Sequence, residues 1–228
     1  MTSDLALHGY SVVPSGLTAE VVAELRAQVD PILTRHAERG GVRDLFQHLP
    51  SLVPLAVGPL QQLVAPTLGQ GAVAVRALLF DKTPVTNWKA TWHQDVTISV
   101  TEYADCHGWG PWSRKAGAWH VRPPAAVLDR MLTLRLHLDP CGPDNGPVRV
   151  IPGSHQGGRF SDSELERVAR SSAPVDCLVA EGGVLLMRPL ILHASAPAAA
   201  PSHRRVIHIE YASADPLPDG FHWAEAVA

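Results

Sequence analysis

The N-terminal third of the chain has the spacing of hydrophobic positions that is typical of helices. An amphipathic helix is predicted by four positions spaced four residues apart, Leu17, Val21, Leu25 and Val29. Thr18 is a favourable N-cap, and we expect this helix to run to about Arg39 with a break or kink at Pro31. The stretch 42–68 contains four prolines and predicts two or three short helices. Residues 1–70 should therefore form a helical support.

From Gly71 onward, short β-branched or apolar runs alternate with Gly, Pro, Asn and Asp. This pattern predicts a β-sandwich or barrel over 71–228. The predicted strands are 72–81, 92–100, 131–139, 148–151, 175–180, 183–188, 190–195 and 204–212. The segment 101–130 is rich in Trp, Gly and Pro, and we expect this long insertion to be a lid over an active site.

Composition narrows the class of protein. With 228 residues, of which 46% are hydrophobic and 18% charged, the chain 1–228 is expected to form a single globular domain. The 19 basic and 22 acidic residues give a net charge of −3, which argues against nucleic acid and membranes as partners. Three dispersed cysteines and the lack of a signal-like N-terminus predict a cytoplasmic protein. Monomer and homodimer both remain open.

The segment Trp92-His93-Gln94-Asp95 carries the strongest chemical signal. On a strand, residues i and i+2 project to the same side about 6–7 Å apart, so His93 and Asp95 can point at one metal ion. His193 follows about 100 residues later, at the end of an apolar run. Two histidines and one carboxylate are the facial triad of non-haem Fe(II) oxygenases.

A single His-x-Asp is more often a hydrogen-bonded pair than a metal site. Arg204, at the start of the last predicted strand, changes that balance. Its guanidinium could hold the far end of a dicarboxylate that chelates the metal with its other end. The alternative for Arg204 is a solvated strand terminus.

Four segments follow in a characteristic order, HQD, NGPVRVIPGSH, GGVLLMRPLILHAS and RRVIHIEYASADP. Over about 72–215 they resemble the phytanoyl-CoA dioxygenase (PhyH) family of Fe(II)/2-oxoglutarate-dependent oxygenases. The resemblance implies a double-stranded β-helix, the jelly-roll or cupin-like fold, with packed α-helices. It also implies that Fe(II), 2-oxoglutarate and O2 are used to hydroxylate an unactivated C–H bond of a small molecule, with release of succinate and CO2.

The resemblance also assigns residues. His93, Asp95 and His193 match the catalytic iron ligands, and Arg204 matches the arginine that binds the distal carboxylate of 2-oxoglutarate. The further candidate cosubstrate contacts are Gln94, Ser195 and Arg135, the last where family members often carry an aromatic residue. Arg205, on the opposite face of the strand, is the alternative to Arg204. Related halogenases have a small residue in place of the carboxylate, so Asp95 favours hydroxylation.

Candidate substrate contacts come from two places, the insertion and one strand: Trp109, Trp112, Trp119 and His137. Thr133, Arg135 and His137 alternate with leucines, and either the polar face or the leucine face could line the cavity. Cationic residues in the insertion indicate a polar or anionic substrate. His208 is assigned, with the remaining histidines, to the surface or the core.

Two other classes of function use the same residues. One is a cupin-like metal-dependent isomerase, or another metalloenzyme that does not need 2-oxoglutarate. The other is a non-catalytic small-molecule binder on a jelly-roll scaffold. Arg204 argues against the first alternative, and a complete metal triad argues against the second.

Overall fold

Antiparallel β-sheets form the centre of the protein in a computed structural model, which describes residues 2–36, 40–115 and 117–228. The strands, in chain order, are β1 (Tyr10–Val13), β2 (Gly41–Val42), β3 (Val73–Asp81), β4 (Ala90–His93), β5 (Ile98–Val100), β6 (Trp112–Lys115), β7 (Ala118–Val121), β8 (Met131–His137), β9 (Val148–Val150), β10 (Val175–Cys177), β11 (Val184–Met187), β12 (His193–Ser195) and β13 (Arg205–Ala212). The helices are α1 (Thr2–Leu7), α2 (Ala19–Arg35), α3 (Leu45–His48), α4 (Leu52–Ala56), α5 (Pro59–Leu68), α6 (Ala125–Leu128) and α7 (Asp162–Ser171).

Two of the sheets make a jelly roll, the fold that the family resemblance implies. The larger sheet has the strand order β1-β11-β8-β13-β3-β2, and the smaller has the order β10-β9-β12-β4. Neighbouring strands of both are antiparallel. Between them lies an apolar cluster that includes Val150 of the smaller sheet and Leu185 and Met187 of the larger. The predicted sandwich is therefore correct.

The alternation along β8 decides which face of the larger sheet looks inward. Leu132, Leu134 and Leu136 pack in the same cluster as buried side chains of α2, α4 and α5. Because successive side chains of a strand point to opposite faces, Thr133, Arg135 and His137 lie on the face turned away from the helices. The sequence left open which face of β8 lines the cavity. In the structure it is the polar face, which is turned toward the interior of the jelly roll.

The first long helix differs from its prediction in two ways. Thr18 caps α2 as expected, accepting a hydrogen bond from the Val21 backbone N–H at 3.5 Å. Pro31 lies within the helix and does not end it. Leu25 and Val29 are buried as predicted, but the other buried positions of the helix are Val22 and Ile32 rather than Leu17 and Val21. Burial on both sides of Pro31 holds the helix together. The predicted end at Arg39 lies outside the described residues.

The insertion 101–130 is more ordered than a simple loop. It contributes β6, β7 and α6, and β5-β7-β6 forms a third sheet. Trp109 stacks on Phe221 at 4.1 Å between ring centroids, and Trp112 lies 5.8 Å from the same ring. These two tryptophans thus pack against the C-terminal segment of the chain.

No helix among the described residues is both long enough and apolar enough to cross a membrane.

Candidate metal centre

Three side chains converge where the smaller sheet meets the segment that follows β4. The ligand atoms of His93, Asp95 and His193 all lie within 4.8 Å of one another. His93 pairs directly with His193 across β4 and β12. Asp95 comes after β4 ends, and its backbone N–H donates to the Pro189 carbonyl at 2.9 Å. The predicted strand 92–100 is therefore broken after His93, yet the carboxylate still faces the two imidazoles.

Both imidazoles are oriented by hydrogen bonds to the backbone. Nδ1 of His93 lies 2.6 Å from the Thr91 carbonyl oxygen, and Nδ1 of His193 lies 3.0 Å from that of Ile191. A carbonyl oxygen only accepts, so each Nδ1 carries the proton and each Nε2 keeps a free lone pair. His193 Nε2 lies 3.8 Å from Asp95 Oδ2. Two imidazole nitrogens and one carboxylate oxygen are a donor set that fits ferrous iron.

The charges around the centre favour the protonation states that bind a metal. Burial lowers the pKa of His193, against the opposing effect of the Asp95 carboxylate. Burial alone would raise the pKa of Asp95, but the neighbouring His193, His208, His93 and Arg135 outweigh it and lower that pKa. A neutral imidazole and an ionised carboxylate are the forms that coordinate metal.

Gln94 has a different place from the one predicted. Its Nε2 donates to the carbonyls of Gly158 at 2.8 Å and Leu190 at 2.7 Å, and its Oε1 accepts from the Phe160 N–H at 2.9 Å. Its amide is therefore already engaged, and Gln94 is not among the described residues that line the cavity at the triad. These hydrogen bonds connect the end of β4 to the segment that precedes His193, and they thereby help to position the triad.

The triad lines a cavity of about 170 Å³ that also contains Arg204, Ser195 and Arg135. Arg204 is 2% exposed, and its Nη1 donates to the Gly146 carbonyl and, at 3.4 Å, to Ser195 Oγ. Lys82, which is fully buried, donates to the same Ser195 oxygen at 2.8 Å and to the Ala196 carbonyl. Two cations and a hydroxyl thus meet at one end of the cavity, an arrangement that suits a carboxylate.

Burial and the neighbouring Arg204 lower the pKa of Lys82 to about 8. Sequence reasoning did not single out Lys82. Its signal would have been a lysine directly after a strand of buried residues, in a chain that has only three lysines.

Arg205 points away from this cavity. Its Nε and Nη2 donate to the two oxygens of Asp139 at 2.8 and 2.6 Å, and its Nη1 donates to Asp30 at 2.6 Å. Two carboxylates engage the guanidinium of Arg205, and Arg205 is not among the described residues that line the cavity. Its contacts are those of a structural ion pair. The two neighbouring arginines, one directly before β13 and one at its start, therefore have opposite surroundings, as alternation along an extended chain requires.

The strand that carries Arg205 also brings His208 to the centre, which corrects its assignment to the surface or core. His208 lines the cavity and accepts a hydrogen bond at Nδ1 from Arg135 Nη1 at 2.9 Å. His208 Nε2 faces Glu210 Oε1 at 3.6 Å, and Arg76 Nη1 donates to that oxygen at 2.9 Å. The alternation of His208 and Glu210 with Ile207 and Ile209 was the available signal.

A larger pocket of about 480 Å³ adjoins the metal cavity. The two share Phe80, Trp88, Asp95 and His208. The larger pocket also has polar walls, to which Arg43, Arg76 and Glu210 contribute. Its volume is in the range of small-molecule sites.

The predicted substrate residues do not line either of these pockets in the described part of the chain. Trp109, Trp112 and Trp119 belong to the apolar cluster around Phe221. Hydrophobic packing against the C-terminal segment, which the sequence pattern did not place, explains this difference. His137 is 2% exposed, and neither ring nitrogen has a hydrogen-bond partner. It lies on the inward face of β8, two residues beyond Arg135.

Several solved structures have the same fold. The carbocyclase SnoK from nogalamycin biosynthesis, described as non-haem and α-ketoglutarate dependent, is 17% identical with a TM-score of 0.73, covering 94% of this chain and 83% of its own. AviO1 from Streptomyces viridochromogenes Tue57 is 23% identical with a TM-score of 0.72, covering 95% of both chains. EctD from S. alaskensis, solved with 2-oxoglutarate and 5-hydroxyectoine, is 19% identical with a TM-score of 0.72, covering 93% of this chain and 74% of its own.

No curated protein matches the sequence at a significant level. A family model does, over residues 5–206, and its span includes the triad and Arg204. This match shows that the chain belongs to the phytanoyl-CoA dioxygenase (PhyH) family of iron- and 2-oxoglutarate-dependent oxygenases.

Proposed function

We propose that this oxygenase hydroxylates an unactivated C–H bond of a polar small molecule. The observation that carries the proposal is the cavity in which His93, Asp95 and His193 lie beside a buried arginine and a hydroxyl. When bound, Fe(II) and 2-oxoglutarate supply oxygen activation, with release of succinate and CO2.

The triad would hold the iron through Nε2 of His93, Nε2 of His193 and the Asp95 carboxylate. The hydrogen bonds at both Nδ1 atoms support this role, because they fix ring orientation before a metal binds. Three protein ligands leave open positions on the iron for cosubstrate and oxygen.

Arg204 would hold the distal carboxylate of 2-oxoglutarate, together with Ser195 and Lys82. Support comes from the shared Ser195 oxygen and from the burial of both cations. An arginine presents a planar fork of donors that matches a carboxylate, and little water competes for it here. Arg205 is unsuited to this role because its donors are already bound to Asp139 and Asp30.

The larger pocket would receive the substrate beside the open face of the metal centre. Phe80 and Trp88 give it an aromatic wall, and the Arg76–Glu210 pair gives it a polar one. Arg43 also lines it, and no ion pair engages Arg43 among the described residues. A free guanidinium at the pocket supports a substrate with a polar or anionic group.

Hydroxylation is one of several outcomes of C–H oxidation on this fold. The structures similar to this chain include proteins described as a carbocyclase and an epimerase. The carboxylate of Asp95 supports hydroxylation, because it occupies the ligand position that halogenases leave free. We further propose that the protein works in a reducing compartment such as the cytoplasm, which its three free cysteines support.

The test measures succinate formation from 2-oxoglutarate with Fe(II), a reductant and air, while polar and anionic small molecules are screened for stimulation. We expect iron-dependent succinate formation and, with a substrate, a product heavier by one oxygen atom derived from labelled O2. A product that has lost two hydrogens and gained no oxygen would exclude hydroxylation while leaving the oxygenase intact. Absence of iron-dependent succinate formation under all conditions would overturn the whole proposal.

A further inference from the structure

We infer that Arg135 forms a second anion site in the metal cavity, which binds the carboxylate at the 2-oxo end of the cosubstrate. This inference rests on the proposed function and adds a charge contact that an aromatic residue at this position could not make. It assigns the two arginines of the cavity to opposite ends of one dicarboxylate, with Arg204 at the distal end and Arg135 at the end that chelates the metal.

Arg135 is a buried cation without an anionic partner among the described residues. Its residue is 9% exposed, and no carboxylate lies within ion-pair distance of it in the described part of the chain. Its Nη1 donates to His208, its guanidinium lies 5.4 Å from the centre of the Phe80 ring, and its Nε has no partner. Burial, followed by repulsion from Arg204, lowers its pKa to about 10, so the guanidinium still carries its charge at neutral pH.

The cavity has an excess of positive charge. Arg135 and Arg204 line it, and Lys82 reaches its Ser195. Asp95 is the one carboxylate among the described lining residues, and the iron would use it as a ligand. Buried charge is costly unless it is compensated. A dianionic ligand compensates two of these cations, whereas a neutral or singly charged ligand leaves more of the charge unmatched.

Arg135 lies in a different part of the cavity from the other two cations. Lys82, Ser195 and Arg204 are linked by hydrogen bonds at one end of the cavity. Arg135 belongs to a different group, since it bonds to His208, which together with Asp95 lines both the metal cavity and the adjoining larger pocket. The guanidinium therefore lies toward the metal ligand, where the 2-oxo acid end of the cosubstrate must bind if it is to chelate iron.

His208 fixes Arg135 in this place. Because the guanidinium only donates, Nδ1 of His208 must be the acceptor, and its proton lies on Nε2 toward Glu210. Glu210 is held in turn by Arg76. The side chain of Arg135 is thus oriented by a network of hydrogen bonds and ion pairs before any ligand binds, which limits the entropy lost on binding.

The inference predicts that simple 2-oxo acids without a distal carboxylate still bind. The test is calorimetric titration of the anaerobic Fe(II) protein with two probes, 2-oxoglutarate and 2-oxobutyrate. We expect Arg135→Leu to lower the affinity for both probes by about tenfold to a hundredfold, the usual effect of losing a charge-assisted hydrogen bond. Arg204→Leu should lower the affinity for 2-oxoglutarate by a similar factor and change the affinity for 2-oxobutyrate less than twofold.

Two further variants separate charge from folding. Arg135→Lys keeps the positive charge and should recover part of the affinity for both probes, while Arg135→Gln should not. Arg149→Leu, on the surface and paired with Asp176, is the matched control and should bind both probes normally. Thermal unfolding and iron titration of each variant report whether its fold and metal site are intact.

The outcomes that overturn the inference are distinct from failure of the proposed function. If the wild type binds 2-oxoglutarate in an iron-dependent way but folded Arg135→Leu and Arg135→Gln bind both probes within twofold of it, only the inference is wrong. Loss confined to 2-oxoglutarate would place Arg135 at the distal end, and no binding of 2-oxobutyrate to the wild type would also contradict the inference. Absence of iron-dependent 2-oxoglutarate binding in the wild type would remove both proposals.

Discussion

His93 and His193 face each other across the antiparallel pair β4–β12, with their ring centroids 4.2 Å apart. Each ring places Nδ1 against the backbone carbonyl two residues before it in the chain. The same local geometry is therefore repeated on two strands, and it leaves both Nε2 atoms free beside Asp95. This repetition explains how segments about 100 residues apart can build one metal site.

Replacement of any one member of the triad by alanine should abolish tight iron binding. Loss of one of three ligands removes a coordinate bond and the facial arrangement, and we expect affinity for Fe(II) to fall by at least about a hundredfold. Anaerobic titration of His93→Ala, Asp95→Ala and His193→Ala measures the effect. His107→Ala, an exposed histidine in the insertion, serves as the control. Normal iron affinity in any of the three triad variants would contradict this site.

Arg204 and Arg205 should give opposite phenotypes. Arg204→Ala should raise the 2-oxoglutarate concentration needed for half-maximal succinate formation about tenfold or more, because a charge-assisted contact is lost. Arg205→Ala should leave that concentration unchanged but lower the free energy of unfolding by about 3 kcal/mol, since Asp139 would keep a largely buried, weakly compensated charge. Kinetics and urea unfolding of both variants make the comparison, and exchanged phenotypes would reverse the assignment.

Gly146 should tolerate no side chain. It has φ of +58°, and a Cβ there would lie 2.6 Å from the Ala196 carbonyl oxygen and 3.0 Å from Lys82 Nζ. Gly146→Ala should therefore destabilise the protein and weaken 2-oxoglutarate binding, because the Gly146 carbonyl also accepts from Arg204 and Ser195. Gly220→Ala has a similar φ of +75° with no atom within 4 Å of the added Cβ. Equal cosubstrate affinity of the two variants would show that the clash does not reach the site.

The free energy of unfolding should fall on acidification from about pH 6.5, above the pH range in which most carboxylates titrate. Burial, aided by Arg76, lowers the pKa of His120 to about 4, and burial lowers that of His137 well below 6.5. In the unfolded chain both take up protons near pH 6.5, so between about pH 6.5 and 4 the unfolded state binds more protons and is favoured. Each histidine then contributes a slope of up to about 1.4 kcal/mol per pH unit.

Urea unfolding at pH 7, 6 and 5 measures this dependence. His137→Leu removes one of the titrating groups and should make the dependence shallower, because leucine takes up no proton when the chain unfolds. A free energy of unfolding that stays constant from pH 7 to 5 in the wild type would show that these histidines are not held neutral.

The sequence was most informative where chemistry and strand periodicity coincide. Residue type and spacing indicate His93, Asp95 and His193, and alternation places Arg204 and Arg205 on opposite faces without deciding which of them faces the cavity. The alternation of β8 left two orientations open because polar and apolar faces are equally regular. Only the packing of its leucines against the helices decides between them.

The remaining site residues depend on contacts that local patterns do not encode. Gln94 is adjacent to two ligands in sequence, yet its amide is engaged by Gly158, Phe160 and Leu190. Trp109 and Trp112 of the insertion pack on Phe221, more than 100 residues away along the chain. Lys82 reaches Ser195 across 113 residues. Such long-range contacts are fixed by the tertiary structure, and a single sequence does not show them.

The central claim is tested most directly by anomalous scattering at the iron edge from crystals grown anaerobically with Fe(II) and 2-oxoglutarate. The account predicts a single strong peak within coordinating distance of His93 Nε2, His193 Nε2 and the Asp95 carboxylate. Iron bound elsewhere, or a peak that touches only one of these three side chains at full occupancy, would contradict it.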